Sequence, residues 1–417
     1  NNRLILKNKI LLNKIFKIQP NKNIIRTLVS NTYKVEKINI LDKHEDIIVG
    51  GKEKFHLLNK GFEGIKQIGI IGWGSQGPSQ ALNLQDSLRK CGSKINIKIG
   101  LRENSKSIKS VLDTGIFKEN NIGSIEEVLR ESDMNIILTS DSSQTKLYET
   151  IFNTIKPQST LAFSHGFLLG YLKNNNKDFP ENNNIIMMAP KGMGPTLRDK
   201  YLQDNGINSS ISVYRNITGK ATDYAISWGI AIGSPYIFET SMRKEYISDI
   251  FGERAILLGG IYGMVEYLFQ KYSSIYCLDS AFKYSVGTIT GPINDSISKY
   301  GLYNIYDNMS LHDKGFFEIS YIKSYEICRE IFEEIYREVE SGNEINSVKI
   351  NDNKINNNKM SNISNSHMWK IGEKIYNRKH ENDIINITDR IFPETAGIYI
   401  GGIMAQVDIL LKKGHSY

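Results

Sequence analysis

The stretch "IGIIGWGSQGPSQALNLQDSL", residues 68–88, constrains the fold more than any other part of the chain. An apolar run of strand type leads into Gly72, Gly74 and Gly77 in a G-x-G-x-x-G pattern, and a helical segment follows. In that setting Gly72 permits a tight turn, Gly74 lets a pyrophosphate approach the backbone, and Gly77 lets helix and strand pack closely. The helix N-terminus then offers its N–H groups to phosphates. Ser75 and Gln76 are therefore expected cofactor contacts together with the three glycines. A plain glycine turn is the alternative.

The neighbouring sequence extends the pattern. Between about residues 65 and 215, apolar runs at 68–72, 95–101, 134–140, 160–166, 185–190 and 211–215 alternate with helical segments such as 78–90, 124–132 and 144–155. Strands alternating with helices imply a mostly parallel sheet covered on both faces. Beyond residue 220 long helical segments take over, at 220–232, 241–270, 278–300, 316–341 and 395–413. The expected organisation is an α/β dinucleotide-binding domain over 40–235 and an all-α domain over 236–417, divided at "GSPY". Two Asn/Lys-rich stretches, "LKNNNKDFPENNN" and "KINDNKINNNKMSNISNS", read as surface loops.

The net charge of +7 is unevenly placed. Residues 1–35 carry eight basic side chains and no acid, which leaves the remainder at −1. The body therefore has no electrostatic footprint for nucleic acid. The leader mixes Leu and Ile with Lys and Arg, as an organelle-targeting presequence does; a basic tail is the alternative. No run of 18 uninterrupted apolar residues suggests a membrane span. Three widely spaced cysteines (Cys91, Cys277, Cys328) suggest a reducing compartment and neither a disulfide framework nor a zinc site.

Cofactor choice should be read at the end of the second strand, "KIGLRENSKS". A carboxylate there would bind a ribose 2′-OH, whereas an arginine accommodates a 2′-phosphate. Arg102 comes first, and Ser105, Lys106 and Ser107 add donors, so NADPH is expected over NADH despite Glu103. "SHGF" and "APKGMGP" each follow an apolar strand. His165 and Lys191 thus fall at carboxyl ends of strands, where open α/β sheets bind ligands. Further on, "EYISDIFGER" stacks Glu245, Asp249 and Glu253 at successive i, i+4 steps. Like charges at this spacing repel, so they need compensation: Lys244 and Arg254 on a solvated face, or a divalent metal.

Taken in order, "GIIGWGSQGPSQALNLQDSL", "LRENSKS", "SDSSQ", "SHGFLLG", "PKGMGP", "GSPY", "SDIFGERAILLGG", "ITG" and "MAQVDILLKKGHSY" resemble the ketol-acid reductoisomerase family, in the long form of plants and some bacteria, over roughly residues 40–417. The resemblance implies a Rossmann-type domain followed by a helical domain of the 6-phosphogluconate dehydrogenase kind. It also implies an Mg²⁺-dependent alkyl shift on an acetohydroxy acid, then reduction by NADPH, in valine and isoleucine synthesis. Carried over, Asp249 and Glu253 are ligands of a two-Mg²⁺ site, with Asp249 the bridge and Glu245 a neighbour. His165 and Lys191 become polar partners of nicotinamide and substrate. Arg102, Ser105 and Ser107 become a 2′-phosphate clamp, and Asp141 lies in a cofactor-contacting loop. Expected partners are a small-molecule acetohydroxy acid and further copies of the chain, with no nucleic acid and no membrane. A plastid is the expected compartment ahead of a mitochondrion.

The family's further Glu-x-x-x-Glu pair and serine are expected just after "KKGHSY", where this sequence stops at Tyr417. Glu330, Glu334 and Glu338 repeat the i, i+4 spacing among Arg329 and Arg337 and read as a solvated face, and the helix at 281–300 offers only Asp295. Residues 1–417 are therefore expected to bind NADPH weakly, to turn over little, and to expose apolar surface from 395–411. A non-catalytic NADP-binding remnant is the alternative reading.

Overall fold

The computed structural model describes residues 28–40, 43–343, 345, 367–380 and 390–415. Two compact units divide the chain between Tyr246 and Ile247. Of the basic leader expected over 1–35, residues 1–27 lie outside the described residues. Residues 28–34 pack on the N-terminal unit. Leu28 and Tyr33 are buried, and Asp223 accepts hydrogen bonds from Ser30 Oγ (2.5 Å) and Thr32 Oγ1 (3.0 Å).

The N-terminal unit is built on ten strands: β1 (Val35–Ile40), β2 (Lys43–Val49), β3 (Gln67–Ile71), β4 (Asn96–Leu101), β5 (Ile122–Ser124), β6 (Met134–Ile137), β7 (Thr160–Phe163), β8 (Asn184–Pro190), β9 (Ser209–Arg215) and β10 (Tyr236–Glu239). Their order is β1-β2-β10-β9-β8-β7-β6-β3-β4-β5. From β5 to β8 every neighbouring pair is parallel. β9 runs antiparallel to β8, and the β1–β2 hairpin closes the far edge through β10. That hairpin and β10 were not foreseen. Their alternation is masked by charges such as Glu36, Lys37, Glu45 and Asp46 on an edge, where charge protects against further pairing.

The strands of the parallel part are buried on both faces, as helical crossovers demand. Ile68, Ile70, Ile97, Ile99 and Ile136 feed one core, while Ile71, Ile137, Leu161 and Phe163 feed the other. The crossovers are α1 (Gln76–Lys90), α2 (Ser107–Leu112), α3 (Ile125–Glu131), α4 (Asp141–Thr154), α5 (Phe167–Asn174), α6 (Gly194–Leu202) and α7 (Ala221–Ala231). Asp133 fixes the start of β3 by accepting from the amides of Lys66 (2.7 Å) and Gln67 (3.0 Å) and from Lys156 Nζ (2.6 Å).

The C-terminal unit is helical among its described residues. α8 (Met242–Gly252) crosses the division and runs into a π-helical stretch, Glu253–Gly260, and then α9 (Ile261–Ser273). The helix expected over 278–300 is broken at Gly291 (φ −112°, ψ −107°), beside Pro292, because proline denies the ladder a donor. α10 (Leu311–Ser341) packs against α11 (Pro393–Lys412). Small residues bring the pair close: a Cβ on Gly397 would lie 2.4 Å from the Phe317 carbonyl oxygen, and one on Gly401 2.8 Å from that of Tyr321. The expectation of an exposed apolar face over 395–411 is met only in part: one face is buried, and Ile398, Tyr399, Ile403, Met404, Val407, Leu410 and Leu411 are half-buried. Ala396, Ile400, Ala405 and Ile409 are buried, and no large apolar side chain of α11 is exposed. Although α11 is long and apolar enough to cross a membrane, half of it is buried inside the unit. The second Asn/Lys-rich stretch, 349–366, lies outside the described residues.

Two outcomes test this account. Gly397→Ala should raise helix propensity, yet it should lower stability by about 1–3 kcal/mol because the added carbon overpacks the α10 backbone; chemical denaturation measures the sign. Burial pushes the Asp133 carboxyl up, but Lys156 and the two amides outweigh it and hold the group below its ordinary value. Its contribution is therefore complete above the unfolded carboxylate range and is lost as pH falls through the folded value. Acid titration of the denaturation midpoint should show a shallower loss below about pH 4 in Asp133→Asn than in wild type.

Candidate functional site

The chain reverses direction across the sheet at β3, since β4 lies on one side of it and β6 on the other. A crevice outside the carboxyl ends of the strands opens at such a switch point. Gly72 turns there with φ +102°, and its N–H donates to the Gly100 carbonyl of β4 at 3.1 Å. A Cβ on Gly72 would meet Thr139 Cγ2 at 2.9 Å and the Leu138 carbonyl oxygen at 3.0 Å. One on Gly77 would fall 2.6 Å from the Gly72 carbonyl oxygen, so helix and turn touch. Gly74 has open space around it, with the Leu138 oxygen 3.9 Å away. Ser75 precedes α1 without capping it through its side chain, which leaves the first-turn N–H groups to a phosphate.

The cradle fits a dinucleotide in a second respect. Thr139 Oγ1 and Gln144 Oε1, in the loop after β6 and in α4, are buried without a hydrogen-bond partner among the described residues. Buried polar atoms of this kind call for a ligand or water. Arg102 is exposed at the end of β4, and Ser105 and Ser107 are half-buried beyond it. The turn is held by Ser105 N–H donating to the Arg102 carbonyl (3.1 Å) and Ser107 N–H to Ser105 Oγ (3.3 Å). Gln76, expected as a cofactor contact, turns its side chain inward to donate to the Gly192 carbonyl at 3.0 Å. Only its backbone is left to a phosphate.

His165 follows β7 and Lys191 follows β8. His165 is half-buried, its Nδ1 lies 3.7 Å from Asp141 Oδ1 at the start of α4, and its ring stacks on Phe167. The loop after β8 reaches the fingerprint directly, for a Cβ on Gly194 would overlap the Ser75 carbonyl. Lys191 Nζ forms an ion pair with Glu245 Oε1, and Ser210 Oγ of β9 donates to Glu245 Oε2 at 2.9 Å. Glu245 is only 4% exposed, a burial a carboxylate tolerates when paired and hydrogen-bonded. Sequence reasoning missed Ser210, which lies just ahead of the run 211–215 read as a strand. Lys191 was also not foreseen as the cation opposite Glu245; Lys244 and Arg254 had seemed the nearer choices.

In the C-terminal unit, Asp249 lies on α8 and Glu253 opens the π-helical stretch. Glu253, Arg254, Leu258, Gly259 and Ile335 line an open hollow of about 340 Å³. Arg254 approaches Glu338 at 3.5 Å, while Glu330, Glu334 and Asp295 are exposed. Among the described residues no three His, Cys, Asp or Glu side chains gather as a metal site.

Comparison with known proteins agrees with this geometry. Residues 64–236 match the family model described as acetohydroxy acid isomeroreductase, NADPH-binding domain, and residues 242–380 match that of the ketol-acid reductoisomerase C-terminal domain. A chloroplastic ketol-acid reductoisomerase of Pisum sativum is 43% identical over 401 residues, 93% of this chain and 68% of that protein. A probable mitochondrial ketol-acid reductoisomerase of Schizosaccharomyces pombe is 31% identical over 323 residues, 76% of this chain and 78% of that protein. Among solved structures, an NADH-preferring ketol-acid reductoisomerase from an uncultured archean superposes with TM-score 0.66 at 26% identity, covering 75% of this chain and 94% of its own.

Replacing Gly72 by Ala should weaken NADPH binding by roughly tenfold or more, because an L side chain at positive φ costs about 1–2 kcal/mol and would press on Leu138. A fluorescence titration with NADPH, checked by circular dichroism, measures it.

Proposed function

As the chain belongs to the ketol-acid reductoisomerase family, we propose that it isomerises 2-acetolactate or 2-aceto-2-hydroxybutyrate and reduces the product with NADPH to the 2,3-dihydroxy acid, in the presence of Mg²⁺. The observation that carries the reading is the pairing of the glycine cradle with Lys191, whose loop closes on Ser75 while a buried carboxylate holds its ammonium group.

Gly72, Gly74, Gly77 and the backbone of Ser75 and Gln76 would hold the pyrophosphate, and Arg102, Ser105 and Ser107 the 2′-phosphate. Asp141, at the start of α4, would orient His165. When bound, NADPH supplies the hydride. In the alkyl shift one carbon–carbon bond breaks at the hydroxyl-bearing carbon as another forms at the neighbouring carbonyl carbon. The hydroxyl oxygen gives up its proton and becomes that of the new ketone, the old carbonyl oxygen becomes a tertiary alkoxide that takes up the same proton, and the new ketone carbon then accepts the hydride while a proton from solvent completes its hydroxyl. Lys191, held by Glu245, would stabilise the negative oxygen and deliver a proton to it. His165 would orient the substrate beside the nicotinamide. Asp249 and Glu253 are the carboxylates proposed to serve Mg²⁺. A single pair does not by itself complete a site for two ions.

The proposed substrate is a small acetohydroxy acid, and the proposed assembly is a homodimer or larger homo-oligomer, with no nucleic-acid or membrane partner. A plastid setting is supported by 43% identity to the chloroplastic pea protein against 31% to the mitochondrial one of Schizosaccharomyces pombe. The alternative reading is an NADPH-binding protein without turnover.

NADPH consumption on adding 2-acetolactate and Mg²⁺ separates the two. On the first reading turnover is seen, and Lys191→Met lowers kcat by about a hundredfold or more at unchanged NADPH affinity. NADPH binding with no consumption under any Mg²⁺ concentration would establish the second.

A further inference from the structure

Gln80 lies on α1 one turn after Gln76, is fully buried, and takes no part in the steps above. Trp228 Nε1–H of α7 donates to Gln80 Oε1 at 3.0 Å. An indole nitrogen only donates, so this contact fixes which end of the Gln80 amide is oxygen. The NH₂ group then faces the other way, donating to Gln76 Oε1 at 3.1 Å and to Ser164 Oγ at 2.9 Å. With its own carbonyl taken, Gln76 turns its NH₂ to the Gly192 carbonyl at 3.0 Å. A one-way chain thus runs from Trp228 through Gln80 and Gln76 to Gly192, with a branch to Ser164. Gly192 adjoins Lys191, Ser164 adjoins His165, and Gln76 opens the helix that follows the glycine turn.

We propose that Gln80 is a positioning residue that sets the loops after β3, β7 and β8 in register with one another by referring all three to a single core indole. The proposal rests on the reading of this unit as an NADPH-binding reductase. A buried network whose members are all satisfied rigidifies what it joins, and each partner left behind by a deletion pays the full desolvation penalty. No apolar side chain of the same length can substitute, since it would strand Trp228 Nε1 in the core and leave the half-buried Gln76 Oε1 and Ser164 Oγ without the NH₂ group that joins them.

The test uses the full chain in four forms: wild type, Gln80→Met, Gln80→Glu, and Leu88→Val as a core change further along α1. NADPH affinity is read by fluorescence, kcat and KM with 2-acetolactate and Mg²⁺, and folding by thermal denaturation. Gln80→Met should weaken NADPH binding about tenfold, the equivalent of one or two hydrogen bonds, while circular dichroism stays that of the wild type. Gln80→Glu keeps the acceptor for Trp228 but has no NH₂, so it should fall with Gln80→Met. Leu88→Val should lose stability and keep wild-type affinity. If Gln80→Met does not fold, Gln76→Met, which cuts the same chain at its half-buried end, gives the same readout. Wild-type affinity and turnover in both Gln80 variants would overturn the proposal alone, as would affinity losses that only track the loss of stability shown by Leu88→Val. A wild type that binds no NADPH would overturn the proposal and the underlying reading together.

Discussion

The turn at Gly72 is the constraint from which the rest of the N-terminal unit follows. β3 is paired on both edges and covered on both faces, so it has no freedom to shift. All adjustment is confined to the residue where it ends. That residue adopts φ +102° with Leu138 and Thr139 within 3 Å of where a Cβ would be. Gly77 in turn sits against the Gly72 carbonyl, which sets the start of α1. The position of a helix N-terminus, and with it a preference for an anion that needs no side chain, is thus decided by two missing methyl groups.

The acidic run beginning at Glu245 shows the opposite strategy, in which charge and not its absence does the positioning. Three carboxylates at i, i+4 steps would be unfavourable alone. Glu245 escapes this by pairing with Lys191 and Ser210, from the loop after β8 and from β9. A lysine paired with a buried carboxylate is held in place even where its own side chain is 36% exposed, whereas the same lysine unpaired would sample many rotamers. Glu245 is therefore better understood as the residue that immobilises Lys191 than as an outlying member of a metal site.

What the sequence made legible and what it hid divide along local and non-local interactions. The glycine spacing, the buried parallel strands and the helices between them depend on residues near one another in sequence, and these are legible within a few positions: 68–72 against Gln67–Ile71, 185–190 against Asn184–Pro190. The β1–β2 hairpin escaped notice because its charges face an edge and carry no apolar period. Ser210, Gln80 and the Lys191–Glu245 pair escaped because each matters only through a partner 35 to 148 residues away. The partial burial of α11 was missed for the same reason. Its apolar face looked unpartnered until α10 supplied a backbone close enough to need glycines at 397 and 401.

The helix after Asp249 carries that logic one step further. Read by period alone, 241–270 is a single long helix, yet Glu253–Gly260 winds as a π-helix. The reason lies in "LLGG": a Cβ on Gly259 would fall 2.3 Å from the Arg254 carbonyl oxygen, and one on Gly260 1.9 Å from that of Ala255. Each clash is with the residue five positions back, the acceptor a π-helical N–H uses. At these two positions a side chain would press on that carbonyl, and glycine avoids it. The widened stretch begins at the second carboxylate of the Asp249–Glu253 pair, so the residues after Glu253 leave the i, i+4 register that the pair itself occupies. Such irregular turns recur at functional sites because they re-aim side chains without breaking the helix. The two glycines thus set the course of the backbone after Glu253, although they carry no chemistry of their own.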